Sequence, residues 1–163
     1  MSGIITDNVG RSSGLVKSAG GGGKILQVQH AIYSTQATSS SSTYADTGLT
    51  DAITCSATSS KVLVFILHNA IGKCCANTHV GTKLFREIDS GGFTELDHID
   101  SNVGFDGGSG YNFGGSSGIM YLDSPSSTGV LTYKTQFNSI GNTATTYVQD
   151  GGASSITLME IGA

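Results

Sequence analysis

Apolar and polar residues alternate with a period of two through most of this chain. In residues 24–35, Leu26 and Val28 fall on one side of an extended backbone, and Gln27 and Gln29 fall on the other. Successive side chains of a β-strand point to opposite faces, and this alternation therefore predicts a strand.

The same alternation, or a short apolar run between turn residues, predicts the remaining strands. They cover residues 43–44, 52–57, 61–71, 78–88, 119–122, 130–137, 143–148 and 155–161, and a glycine-rich loop is expected over residues 104–118. Residues 61–71 are apolar at nearly every position, as expected for a strand that is buried on both sides. About eight or nine strands without a helical period predict an all-β fold, a jelly-roll-like antiparallel β-sandwich.

Residues 1–23 differ in composition from the rest and are predicted to form an extended N-terminal arm on a β-sandwich domain of residues 24–163. The arm contains Gly10, Gly14 and the run from Gly20 to Gly23, and such a stretch is flexible in isolation. We expect it to dock on a partner by strand addition, because apolar contacts alone do not offset the entropy of ordering it. The predicted docking residues are Ile4, Ile5, Val9, Arg11, Leu15 and Val16.

Composition excludes several classes of function. The 163 residues suit one domain, and only 12% of them are charged, with a formal net charge of −4. No basic run is present, which argues against nucleic-acid binding. No apolar run is long enough to span a bilayer, and no secretory signal is expected at the N-terminus.

The cysteines and histidines predict no metal site. The chain has three cysteines, an odd count that makes a poor disulfide framework. Cys74 and Cys75 are adjacent and are interpreted, with Cys55, as reduced, buried thiols of a protein made in a bacterial cytoplasm. The histidines lack the spacing of zinc ligands, since they fall in four separate segments, at His30, His68, His79 and His98.

An acidic stretch between Gly92 and Gly107 is predicted to be a solvated polar loop. Its oxygen-bearing side chains alternate in a way that leaves calcium binding open, but the calcium-loop pattern is not matched. These side chains belong to Glu95, Asp97, Asp100, Asn102 and Asp106.

No catalytic constellation emerges from the chain. A Gly-x-Ser-x-Gly elbow between a strand and a helix is missing, and the twelve acidic residues single out no carboxylate pair for glycoside hydrolysis. We therefore expect neither enzymatic activity nor a cofactor.

Tyr111 and Phe113 are the most suggestive side chains for binding, because they lie within the glycine-rich loop. Aromatic rings on exposed loops stack on sugars and anchor interfaces. They are candidate contacts to a host glycan or protein, and the alternative is that both rings fold inward and plug the end of the sandwich.

Several stretches of the chain resemble tail-fibre-like structural proteins of tailed bacteriophages, especially marine ones. The resemblance spans nearly the whole chain. It rests on residues 4–17 (IITDNVGRSSGLVK), 24–28 (KILQV), 59–64 (SSKVLV), 121–125 (YLDSP), 132–134 (TYK) and 155–163 (SITLMEIGA).

This resemblance implies a virion protein with a jelly-roll-like domain, often trimeric and attached by its N-terminus. Its expected partners are copies of itself, other tail or capsid proteins, and a host surface, and it would be assembled in the bacterial cytoplasm. The chain lacks the long repetitive shaft of full tail fibres, which leaves open a short tail-fibre-like appendage, a capsid fibre or a head-decoration protein.

Overall fold

The computed structural model describes residues 23–104, 113–141 and 144–163. These residues form ten strands: β1 (Ile25–Tyr33), β2 (Ala37–Ser39), β3 (Ala45–Thr54), β4 (Lys61–Lys73), β5 (Thr78–Ile88), β6 (Thr94–Val103), β7 (Phe113–Asp123), β8 (Val130–Gly141), β9 (Thr146–Val148) and β10 (Ser154–Ile161). All strand pairs are antiparallel, which confirms the predicted all-β class.

The strands lie in two sheets. One runs β1-β10-β4-β7, with the short β9 and β2 attached beyond one part of β4, and the other runs β3-β8-β5-β6. Without the two short strands, the eight remaining strands have the order and pairing of a jelly roll, in which each sheet takes four strands from two Greek keys. The sequence prediction of a jelly-roll-like sandwich is therefore confirmed.

The core lies between the two sheets and follows the predicted alternation. On β8 the side chains of Leu131, Tyr133, Thr135 and Phe137 are fully buried, as their period of two requires. A larger apolar cluster fills the end of the sandwich near Ile53, and a smaller cluster fills the opposite end.

Two segments that were predicted to be loops are strands. The acidic stretch as far as Asn102 lies in β6, where Asp97 pairs with Leu84 and Asp100 with Thr82 of β5, and Asp106 lies outside the described residues. Because β6 is an edge strand, its carboxylates remain near solvent while its backbone pairs on one side. Part of the predicted glycine-rich loop belongs to β7, whose backbone begins at Phe113 and pairs with the far end of β4.

The register of the sheet that contains β4 shows which residues lie at each end of the sandwich. Ile25, which follows the N-terminal segment, pairs with Ile161, and Ile161 pairs with Lys61 at the start of β4. Phe113 pairs with Lys73 at the other end of β4. A strand of 13 residues spans about 40 Å at the rise of an extended chain. Ile25, near the first described residue, therefore lies at the end of the sandwich opposite to the start of β7.

Candidate interaction surface

Over residues 61–68, strand β4 is buried on one side only, contrary to the sequence prediction, and only residues 71–73 at its end are buried at every position. Val62, Val64 and Ile66 point into the sandwich and are buried, whereas Phe65 and Leu67, on the opposite side of the strand, are 38% and 46% exposed. The inner row packs against the second sheet, and within the described part of the chain no element covers the outer row.

Neighbouring strands extend this apolar surface on both sides of β4. Leu63 lies opposite Leu122 of β7 and opposite Met159 of β10, and Met159 in turn lies opposite Val28 of β1. These four side chains form one apolar row that crosses all four main strands of the sheet.

A second row runs parallel to the first. Met120 lies opposite Phe65, Phe65 opposite Thr157, and Thr157 opposite His30. The His30 ring nitrogen Nδ1 is 2.8 Å from the Thr157 hydroxyl oxygen, and the polar atoms of this row therefore bond to each other. Met120 itself is 65% exposed.

A third row completes the surface with Leu67 and Ile32, which both lie opposite Ser155. We call the combined surface the outer face. It comprises Val28, His30, Ile32, Leu63, Phe65, Leu67, Met120, Leu122, Thr157 and Met159, and none of these is an acidic residue, a lysine or an arginine.

The outward surface of the second sheet is of the opposite character. Lys83 forms an ion pair with Glu95 at 2.8 Å, and Lys134 forms one with Asp46 at 2.8 Å. Lys134 also lies 4.1 Å above the centre of the Phe93 ring. Charged side chains thus cover one broad side of the sandwich and apolar side chains cover the other. Exposed apolar patches of this extent mark interaction surfaces in soluble proteins.

The predicted docking arm and one of the two aromatic residues of the predicted glycine-rich loop lie outside the described residues. This applies to Ile4, Ile5, Val9, Arg11, Leu15, Val16 and Tyr111. Phe113 is described only as the first backbone residue of β7.

Two open cavities of about 380 Å³ each flank the C-terminal residues at the end of the sandwich that carries Gly23. One lies beside Lys24, Leu26 and Ser56, and the other beside Lys61 and Leu122. The second cavity adjoins the outer face through Leu122.

The cysteines depart in part from the sequence interpretation. Cys55 is buried, as predicted, but Cys74 and Cys75 are joined by a disulfide in the turn between β4 and β5. The interpretation of this pair as reduced thiols is therefore wrong. It assumed a fully extended chain, in which neighbouring side chains diverge, whereas a turn allows them to meet.

The histidines lie on four different strands. They are His30 on β1, His68 on β4, His79 on β5 and His98 on β6. Among the described residues, no group of three or more histidine, cysteine, aspartate or glutamate side chains has the geometry of a metal site. In the same residues, no helix is long and apolar enough to cross a membrane.

Sequence analysis missed the outer face. Its signal was present in residues 61–71, where apolar residues occupy both sides of the strand. We interpreted this as burial on both sides within one domain, whereas the structure buries one side and exposes the other.

No protein-family model and no curated protein matches this chain. A solved structure of the infectious bursal disease virus VP2 subviral particle is similar to it, with a TM-score of 0.47 and 11% identity over 85% of this chain and 34% of that one. Structures of the Gx and Gt strains of the same virus give TM-scores of 0.45 and 0.42 at 10% identity, over 83% and 85% of this chain and 33% and 39% of theirs. The chain therefore spans about a third of the length of these solved chains.

Proposed function

We propose that this chain is a structural protein of a bacteriophage virion, a short tail-fibre-like appendage that docks on the particle by its N-terminal arm. The observation that carries the proposal is the opposite placement of the two ends. Ile25, near the first described residue, lies at one end of the sandwich, and Phe113, the first residue of β7, lies about 40 Å away at the other. Such an arrangement suits a module that is anchored at one end and contacts the host at the other.

The resemblance to tail-fibre-like proteins supports the same role. In this role the chain is a homotrimer, its arm binds another virion protein, and its distal loop contacts a host glycan or protein. It carries no catalytic activity and no cofactor, and it reaches the virion by assembly in the bacterial cytoplasm.

A capsid-decoration or cement protein is the second candidate, and the outer face favours it. A flat, uncharged sheet surface could lie against the capsid shell and bury its apolar side chains there. In that role the domain lies flat on the head and does not project from the tail.

Labelling of purified particles distinguishes the two roles. Antibodies against this chain, detected by electron microscopy with a gold conjugate, are expected to mark the tail in the first role. Labels spread over the head would favour the decoration role. Particles that carry no label, although the host makes the protein, would refute both.

A further inference from the structure

We infer that the outer face is the surface through which copies of this chain bind one another. The inference deepens the proposed function and rests on it, because it names the surface that joins the subunits of the appendage. In the proposed homotrimer the three outer faces surround the threefold axis, and each contacts the outer faces of its two neighbours.

The size of the outer face fits a specific interface. Ile32 is 64% exposed and Met120 is 65% exposed, with Val28 and Leu122 near half. At roughly 100 Å² for each half-exposed large side chain, the face offers on the order of 600–800 Å², which is close to the share of one partner in a standard interface.

The distribution of charge favours a second copy as the occupant. The chain has a net charge of −4, and contact between two copies would ordinarily bring like charges together. On the main strands of this sheet, however, the two acidic residues Asp123 and Glu160 are buried. The exposed ion-paired carboxylates Asp46 and Glu95 lie on the other sheet. Lys61, which is exposed at the start of β4, lies at the border of the face, and the three apolar rows themselves meet without repulsion between like charges.

The N-terminal arm is too poor in apolar side chains to be the occupant. It carries Ile4, Ile5, Val9, Leu15 and Val16 as its large aliphatic residues, whereas the outer face presents eight large apolar side chains in three rows. A second outer face provides as many apolar side chains as it covers.

The alternation of residues 61–71 gives the same result from the sequence. A strand that is apolar on both sides indicates burial on both sides, and the described residues of one chain cover only the inner side. The outer row of Leu63, Phe65 and Leu67 is then buried when a second copy packs on it.

The test introduces a lysine into the outer face of the full-length chain. Met120→Lys and Ile32→Lys place a charge at opposite edges of the face, at positions that are exposed in the single chain and tolerate the side chain there. Val130→Lys is the matched control, because Val130 is 49% exposed but lies on the other sheet.

Self-association is measured by sedimentation velocity at about 1–50 µM, with circular dichroism to verify folding. We expect an oligomer for the wild type and for Val130→Lys, and at least about a tenfold rise in the dissociation constant for both outer-face variants, because burial of an unpaired lysine is costly.

Two results would overturn the inference. The first is a wild-type chain that stays monomeric over this range, as it would if the arm or a shell protein covered the face. The second is an oligomer that both lysine variants leave intact. Self-association of a protein that is nevertheless missing from purified particles would refute the proposed function and leave the inference standing.

Discussion

The hydroxyl of Tyr133 donates a hydrogen bond to Asp123 Oδ2 at 2.7 Å and thereby joins the two sheets through the core. Arg86 Nη1 donates to both oxygens of the same carboxylate, at 2.8 and 2.6 Å. Asp123 and Tyr133 are buried. Burial is the largest cause that holds the pKa of Tyr133 well above its usual range, and the hydrogen bond to Asp123 is the next.

Asp123→Asn should destabilise the domain by about 2–4 kcal/mol, because it leaves the largely buried Arg86 without its counter-charge. Urea unfolding followed by circular dichroism measures the change. Asp46→Asn is the matched control. Its carboxylate is 56% exposed in the pair with Lys134, and we expect a loss below about 1 kcal/mol. Equal losses of stability in the two variants would show that the hydrogen bonds of Tyr133 and Arg86 to Asp123 are unimportant for the fold.

Glu160 ties β10 to the loop between β3 and β4. Its carboxylate accepts hydrogen bonds from the Ser56 amide at 2.7 Å, the Ser56 hydroxyl at 2.6 Å and Gln27 Nε2 at 2.7 Å. Burial raises the pKa of Glu160, but the hydrogen bonds from Ser56 and Gln27 outweigh it, and the pKa is lowered from 4.5 to about 2.

A carboxyl whose pKa is lowered by folding stabilises the fold above the pKa of the unfolded chain, and this contribution disappears as the pH falls through the folded value. Glu160→Gln should therefore cost about 1.5–3 kcal/mol at pH 7, the range for hydrogen bonds to a charged group. The difference from wild type should shrink between pH 4.5 and about 2. Urea unfolding at several pH values tests this, and a constant difference would contradict it.

His68 produces a pH dependence in a different range. It is buried, and its two ring nitrogens have no hydrogen-bond partner among the described residues. Burial lowers its pKa from 6.5 to about 4. The unfolded chain then binds a proton more readily than the folded one, and the stability due to this group is present above pH 6.5 and lost as the pH falls toward 4.

His68→Met should flatten the pH dependence of stability between pH 6.5 and 4. The wild type should lose roughly 3 kcal/mol more than the variant across that range, from the size of the pKa difference. At pH 7 the variant should be as stable as the wild type or more so, because an apolar side chain replaces an unpaired polar one. Parallel stability curves for the two proteins would rule this explanation out.

Deletion of residues 1–23 should leave a folded domain that no longer joins the particle. All ten described strands begin after this segment, whereas the predicted docking residues lie within it. Thermal unfolding tests the fold, and immunoblotting of purified particles measures incorporation. A control with Ser12→Ala and Ser13→Ala, within the same segment, should incorporate normally. If the truncated chain were incorporated at the normal copy number, residues 1–23 would be a linker and not the docking element.

Tyr111→Ala should reduce adsorption of particles to the host without changing their content of this protein. The expectation follows from the start of β7, next to Tyr111 in the sequence, at the end of the sandwich opposite to Ile25, and from the tendency of exposed aromatic rings to bind sugars and protein surfaces. Tyr44→Ala provides a control on the other sheet, where the Tyr44 ring lies under Lys83. Equal adsorption by all three particles would exclude Tyr111 from host contact.

The sequence alone determined the strand class and much of the strand placement. Residues 78–88 were predicted as a strand with the same limits as β5. The alternation of residues 130–137 places Leu131, Tyr133, Thr135 and Phe137 on one face of a strand, and the structure buries that face. These predictions succeeded because a period of two records which side of a strand meets the core. The acidic strand β6 was missed, because an edge strand needs few apolar residues and a charged sequence of this kind is also typical of a loop.

Only the tertiary structure decided which apolar side of β4 faces the core. Alternation places Val64 and Phe65 on opposite sides of the strand. Because both sides are apolar, the sequence does not indicate which of them faces the core. The pairing of β4 with β10 and β7 decides which side faces outward, because it aligns Leu63, Leu122 and Met159 in one outward row. The outer face is thus assembled from segments far apart in the chain, and it exists only once the strands have their final order and register.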